Sequence, residues 1–214
     1  MPVVAYPPTA YRVTDSAVAL ALMRAHPFAH VITAHAGLRV SRLPILADVE
    51  DGQLKTLRGH FDARNPQAEG LQGAPIVVSF SGPAAYVSPH WRIDKSRGGT
   101  YDYEEVQVRG VARVVQEAGF FTQLIDDLST LIEPQHAEIS DQPVWHTSMA
   151  KSGHIVRQLS LVVPFIVDVE SVEAVAKLHQ GFSAADRRSV AEHLARSRRD
   201  EVRAIGERIR QGLT

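Results

Sequence analysis

Side chains able to do chemistry gather in four short strings of this 214-residue chain. In Gly59-His60-Phe61-Asp62-Ala63-Arg64-Asn65-Pro66-Gln67, an imidazole, a guanidinium and two amides stand at the end of a predicted strand. Arg64 could fork onto a phosphate through two parallel N–H donors, with His60 and Asn65 adding hydrogen bonds. The same string also reads as a solvated strand end closed by an Asn-Pro turn. A second string, Ser81 to Trp91, sets Tyr86, Ser88, His90 and Trp91 beside two proline breaks. Such a loop suits a planar ligand walled by Tyr86 or Trp91, and equally a strand whose aromatics are core or interface. Thr100-Tyr101-Asp102-Tyr103 opens a long predicted strand, where aromatics commonly pack. Lys177-Leu178-His179-Gln180-Gly181 is a charged, amide-bearing turn ahead of the last helix.

Other chemistries are excluded or unsupported. There is no cysteine, which removes disulfides, thiolate metal sites, iron–sulfur clusters and cysteine nucleophiles together. The ten histidines fall in no zinc-type helical spacing, so no metal site is expected. No G-x-S-x-G elbow and no glycine-rich strand–helix phosphate loop is present, and no carboxylate pair is singled out, so catalytic residues stay unassigned. With 23 Lys and Arg against 24 Asp and Glu, the net charge of −1 gives no global field for coating nucleic acid. The first twenty residues do not resemble a secretory signal, and the longest apolar stretch, Leu159 to Val169, is too short to span a bilayer. A soluble, cytoplasmic protein without membrane contact is expected.

The elements that must position the four strings follow from periodicity. Thr14-Asp15-Ser16 caps a helix running to about Ala25, stopped by His26-Pro27. Strands are predicted over His30–Ala36, Leu38–Val49 (made irregular by Pro44), Gln53–Phe61, Ile76–Phe80, Ala84–Val87 and Tyr101–Val115. Asp51-Gly52 is a hairpin turn. Phe121, Leu124, Ile125, Leu128 and Leu131 mark a helical face over Phe120–Ile132. A helix over Ser148–Gln158, a returning strand over Leu159–Val169 and a long helix from Ser183 to about Gln211 complete the chain. Strands first, then helices with one strand returning, favour an α+β antiparallel barrel over a βαβ sheet.

Taken in order, with Ser41-Arg42-Leu43-Pro44 added, these strings resemble those of the PaiB family of FMN-binding negative transcriptional regulators. That family's strings run T-H-L-P, G-H-x-A-R-A-N-P-Q-W, G-P-x-A-Y-I-S-P-S-W-Y, T-W-N-Y and K-L-S-Q-N. The resemblance covers nearly the whole chain. It implies a split β-barrel of the FMN-binding type with flanking helices, over residues 1–182, and a long C-terminal helix, 183–214, packing on the barrel or a partner subunit. It also implies a homodimer with FMN sites at the subunit interface. By the same resemblance His60, Arg64 and Asn65 grip the phosphate. Ser88, Trp91 and Tyr101 line the ring or ribityl chain, and Lys177 and Gln180 close the pocket. The chain departs from the family strings at Arg42 (His), Ala68 (Trp), His90 (Ser), Asp102 (Asn), His179 (Ser) and Gly181 (Asn). A carboxylate at Asp102 is expected to weaken a donor-rich flavin site, and Arg42 to compensate as an extra phosphate ligand.

Three functional readings stand. The chain is a flavin-binding regulator or sensor, an FMN-dependent oxidoreductase using NAD(P)H, or a family member that has lost its flavin. Direct DNA contact has one candidate, the segment Ser183–Thr214, with eight arginines against five carboxylates. That mixed pattern is more typical of a solvated helix laced with ion pairs, and no helix-turn-helix accompanies it.

Overall fold

The computed structural model describes residues 7–35, 37–139 and 141–213. Helix α1 (Ser16–Ala25) leads into β1 (Phe28–Thr33), β2 (Arg39–Pro44), β3 (Leu46–Glu50), β4 (Gln53–Asp62), β5 (Pro75–Val87) and β6 (Thr100–Val114). Then come α2 (Ala118–Ile132), α3 (His154–Gln158), β7 (Val162–Lys177), α4 (Ala184–Leu194) and α5 (Asp200–Gln211). The strands form one seven-stranded sheet in the order β2-β1-β5-β6-β7-β4-β3, with the β1–β2, β1–β5, β3–β4 and β4–β7 pairs antiparallel. The α+β antiparallel class is the one expected.

Local chemistry accounts for most boundaries. Asp51 and Gly52 both take positive φ, 51° and 72°, which matches the twist of a tight β3–β4 hairpin. Pro44 ends β2, and the buried Ile45 turns away from the ladder to donate its N–H to Pro27 O at 2.9 Å. Three expectations change. Gly82-Pro83 does not split β5; the β1 register ends at Ser79, so the proline's missing N–H takes nothing from that pairing. The helix expected over Ser148–Gln158 shrinks to His154–Gln158, begun by Gly153 at φ 70°. The single C-terminal helix is two helices broken over residues 195–199. The end of the strand expected at Ala36 lies outside the described residues.

The chain divides into two compact units. The larger holds Ser16–Phe80 and Gln107–Val172. Its core joins Leu46 to Phe121, Leu124 and Leu128 of α2, the predicted apolar face, and stacks Phe61 on Phe165 at 5.1 Å. Gly110 lets β6 and β7 approach closely, since a Cβ there would lie 2.1 Å from Asp168 O.

The second unit holds Ser81–Val106, Glu173–Thr214 and the described part of Met1–Asp15. Here Ala85 and Val87 of β5 pack against Val190, Ala191 and Leu194 of α4 and Ile205 and Ile209 of α5. Gly206 allows the two helices to touch: an added Cβ would sit 3.0 Å from Leu194 Cβ. Folding one helix back on the other buries both apolar stripes, which one straight helix could not do, and this outweighs the absence of Gly or Pro at the break.

The closest obstacle in the sheet is backbone, which cannot swing aside. Gly110→Ala is therefore expected to destabilise the fold by about 2 kcal/mol, read as a lower urea midpoint. An unchanged midpoint would contradict the close β6–β7 approach.

Candidate functional site

The string at the end of β4 folds onto itself. Gln67, fully buried, donates from Nε2 to Val31 O at 3.1 Å and Thr33 Oγ1 at 3.0 Å, and accepts from Ser41 Oγ at 2.5 Å. Asn65 Nδ2 donates to Ser41 Oγ at 2.9 Å, while Asn65 Oδ1 accepts from Gln67 N at 3.0 Å. The Asn-Pro-Gln turn is thereby pinned to the β1–β2 hairpin. His60 packs edge-on against Phe121, ring centroids 5.6 Å apart, and burial holds its imidazole below the ordinary value. Arg64, 90 % exposed, meets the carboxylate of Asp62 through Nε at 2.9 Å and Nη2 at 2.7 Å. Arg42 lies over the ring of Phe28, 4.4 Å from its centroid, and donates to Phe28 O at 3.0 Å. Arg64, Asn65 and Arg42 thus each have a different hydrogen-bond partner, whereas the buried His60 Nδ1 has none among the described residues.

In the other unit the predicted residues draw closer. Tyr86 and Tyr101, 49 % and 61 % exposed, meet edge to face at 5.7 Å. Gly99 lies directly against Tyr86, where a Cβ would fall 2.0 Å from the hydroxyl oxygen. Lys177 Nζ donates to Thr100 Oγ1 and, at 2.7 Å, to Tyr101 O. Gln180 closes its own turn, accepting from Leu178 N at 2.7 Å and donating to Ala176 O. Ser88 accepts from His90 N at 3.2 Å, and Trp91 stacks on His193 of α4 at 6.0 Å against the helical core. So Tyr101 and Lys177 come together, joined by Tyr86, whereas Ser88 and Trp91 occupy a turn of their own.

Behind these residues lies a buried polar chain. Asp102 and His179 have fully buried side chains, with Nδ1 2.6 Å from Asp102 Oδ2. Arg92, also buried, donates from Nε to His179 Nε2 at 3.1 Å. Arginine can only donate, so Nε2 is the acceptor and the ring proton sits on Nδ1, facing the carboxylate. Arg92 spends its other donors on Arg97 O at 3.0 Å and Gly98 O at 3.1 Å, and lies 4.4 Å over the ring of Phe182, on which His179 also stacks. Asp186 holds the near end of the same loop, accepting from Ile93 N at 2.7 Å and Asp94 N at 3.0 Å. The carboxylate of Asp102 is thus buried, with Oδ2 on His179 and Oδ1 without a hydrogen-bond partner among the described residues. Its charge is spent on a buried histidine 77 residues away. Reading the strings missed Arg92, His179, Asp186 and Gln67; the signal available was that Asp102 and His179 both depart from the resembled pattern.

Among the described residues no group of three His, Asp or Glu side chains could hold a metal, and no helix is long and apolar enough to cross a membrane. The α5 arginines are paired: Arg203 with Asp200, Arg210 with Glu207, and Arg208 with the buried Glu104 at 2.7 Å.

This sheet with its flanking helices is a split barrel of the flavin-binding kind. The FAD and heme binding protein of Mycobacterium smegmatis shares the fold, with TM-score 0.56, 14% identity, and coverage of 78% of this chain and 73% of that one. The flavocytochrome Anf3 of Azotobacter vinelandii does so with TM-score 0.53 and 13% identity, covering 77% and 67%. Residues 5–171 match the family described as “Putative FMN-binding domain”, and the chain belongs to that family. A relative spanning almost the full length is “Protease synthase and sporulation protein PAI 2” of Bacillus subtilis, 24% identical over 210 residues, 97% of this chain and 98% of that protein. An uncharacterized Aspergillus fumigatus protein is 27% identical over 201 residues, covering 72% and 75%. The resemblance drawn from the strings holds.

Removing one member of the buried chain leaves another charged or polar group unpaired. Asp102→Ala and His179→Ala are each expected to cost about 3 kcal/mol in urea unfolding. The double variant should cost less than the sum by at least about 1 kcal/mol. Strict additivity would contradict the pairing.

Proposed function

We propose that the chain is a flavin-binding module that works as a homodimer and serves as a negative transcriptional regulator or flavin-linked sensor in the cytoplasm. The observation that carries this reading is the family match over residues 5–171, extended to nearly the whole chain by the alignment with PAI 2. The ring end of the site fits a flavin in kind. Tyr86 and Tyr101 offer exposed aromatic faces, Gly99 lets the Tyr86 hydroxyl lie against the backbone, and Lys177 brings a cation to the same strand end. Ser88, Trp91 and Gln180 belong to this end by resemblance. When bound, a flavin would supply a redox-active ring whose state the protein can register.

Binding is favoured over catalysis by the buried pair. Asp102–His179 has the form of an acid–base dyad, yet both ring nitrogens are engaged and neither side chain reaches solvent. The paired arginines of α5 support regulation without that helix gripping DNA. Leu38 and Val40 on and beside the edge strand β2, 82 % and 57 % exposed, favour a second copy as the partner that covers them.

Titration with riboflavin or FMN is expected to quench the flavin fluorescence with Kd of about 10 μM or tighter, on a species of dimeric mass by light scattering. Fluorescence unchanged at about ten times that concentration would remove the flavin reading. Rapid anaerobic bleaching of the bound flavin by NADPH or NADH would favour an oxidoreductase instead.

A further inference from the structure

The buried line from Asp102 through His179 to Arg92 can be interrupted by a single proton. His179 donates from Nδ1 to Asp102 Oδ2 at 2.6 Å and accepts on Nε2 from Arg92 Nε at 3.1 Å. Both contacts need the neutral imidazole with its proton on Nδ1. A proton added at Nε2 sets N–H against N–H and places an imidazolium beside a guanidinium, both out of water. Asp102 gains from that change, because its Oδ1 is buried without a hydrogen-bond partner among the described residues and its charge is poorly compensated by a neutral ring. Arg92 loses by it: its Nε has no acceptor left, and Phe182, 4.4 Å below the guanidinium, offers only a ring face.

What Arg92 holds is one end of the exposed loop over residues 93–99. Its Nη1 donates to Arg97 O at 3.0 Å and Gly98 O at 3.1 Å, fixing the end that enters β6. The other end is tied separately, by Asp186 Oδ1 on the amides of Ile93 and Asp94 at 2.7 and 3.0 Å, and by Asp94 Oδ1 on Ser96 N at 2.9 Å. Hydrogen bonds from Ser183 and Ser96 keep Asp186 and Asp94 below the ordinary carboxylate range, so this end keeps its charges in mild acid. The remaining charges nearby are cations: Arg97, 5.2 Å over Phe182, and Lys177, bonded to Thr100 Oγ1 and Tyr101 O. A second buried cation is therefore opposed on this side, and the loop has a tied end and a releasable one.

We propose that His179 is a proton-operated latch. As a neutral ring it keeps the loop closed and the Tyr86, Tyr101 and Lys177 end assembled; as an imidazolium it frees Arg92 and lets the Gly98 end of the loop swing out. The coupling to the ring end is direct, since Gly99 lies against the Tyr86 hydroxyl and the next two residues carry the Lys177 ammonium. Histidine is the side chain that ordinarily changes charge between neutral and mildly acid pH. Ligand binding at this end is accordingly strong near neutrality and weakened in mild acid, a regulation that rests on the flavin reading above. A chain with Asn and Ser at these two positions, as in the resembled strings, has no such latch.

Nitrogen-detected NMR of the full chain, at about pH 7.5 and about pH 5.5, tests the latch without a ligand. At the higher pH the His179 ring should carry its proton on Nδ1 alone, with a protected Arg92 Nε–H. At the lower pH both ring nitrogens should be protonated and the Arg92 signal should move to the position of a solvated arginine. A ring that stays neutral in acid overturns the proposal, as does protonation that leaves the Arg92 signal where it was. Riboflavin quenching supplies the second arm: wild type should bind about tenfold more weakly at the lower pH. His179→Asn should remove that pH dependence, since asparagine suits the positive φ of 63°, can donate to Asp102 and does not titrate. Equal weakening in the variant breaks the link between latch and ring end. If riboflavin binds at neither pH, the flavin reading fails by itself, and the wild-type NMR signals still decide the latch.

Discussion

Burying an ionised carboxylate and a guanidinium in a protein of this size costs several kcal/mol per charge unless each finds a complete set of partners. Asp102, His179 and Arg92 meet that demand jointly except at Asp102 Oδ1, which is buried without a hydrogen-bond partner among the described residues. The imidazole stands between the two charges, donating to one and accepting from the other, while the guanidinium closes on the carbonyls of Arg97 and Gly98. Four of the residues offered to a ligand in this unit lie within two positions of one of the three, while Tyr86 and Ser88 do not. Tyr101 precedes Asp102, Trp91 precedes Arg92, and Lys177 and Gln180 flank His179. On β6 the alternation of a strand carries this directly: Asp102 points inward and Tyr101 outward. The buried chain thus determines where the exposed faces stand without touching what they bind.

A second polar lock, made of uncharged groups, does comparable work in the other unit. Gln67 holds the β1–β2 hairpin and the turn after β4 through its side-chain amide, with Ser41 and Asn65 completing the set. The difference in charge matters for function. Amides and hydroxyls held this way have little capacity left for an anion, and the remaining guanidinium, Arg64, is already matched by Asp62. The two polar systems therefore assign different tasks to the two units: one presents aromatic faces, the other keeps a turn rigid and electrically balanced.

Much of this architecture is legible in the sequence because periodicity reports burial. The alternation along β6, the apolar face of α2 and the Asp51-Gly52 hairpin are local patterns, and they appear where they were read. The C-terminal break is not local. Ala195 to Arg199 carries no breaker, and it is the packing of Val190, Ala191 and Leu194 with Ile205 and Ile209 that favours two helices; acidic Asp200 and Glu201 opening α5, with Arg208 and Arg210 near its end, are the local sign of a separate helix. The partnership of Asp102 with His179 was invisible for the same reason. Two departures 77 residues apart look like separate losses until the fold sets them 2.6 Å apart. Gln67 was passed over because a glutamine after Asn-Pro reads as a solvated turn residue, and nothing local indicates that its side chain is buried.

The central claim is that ligand recognition belongs to the segments backed by Asp102, His179 and Arg92 and not to the turn after β4. Backbone hydrogen exchange of the full chain, with and without saturating riboflavin, tests it most directly. The account predicts slowed exchange at the amides of residues 97–101 and 177–180 together, with those of Ala63, Arg64 and Asn65 unchanged. Slowed exchange at residues 63–65 with none at 97–101 or 177–180 would contradict it.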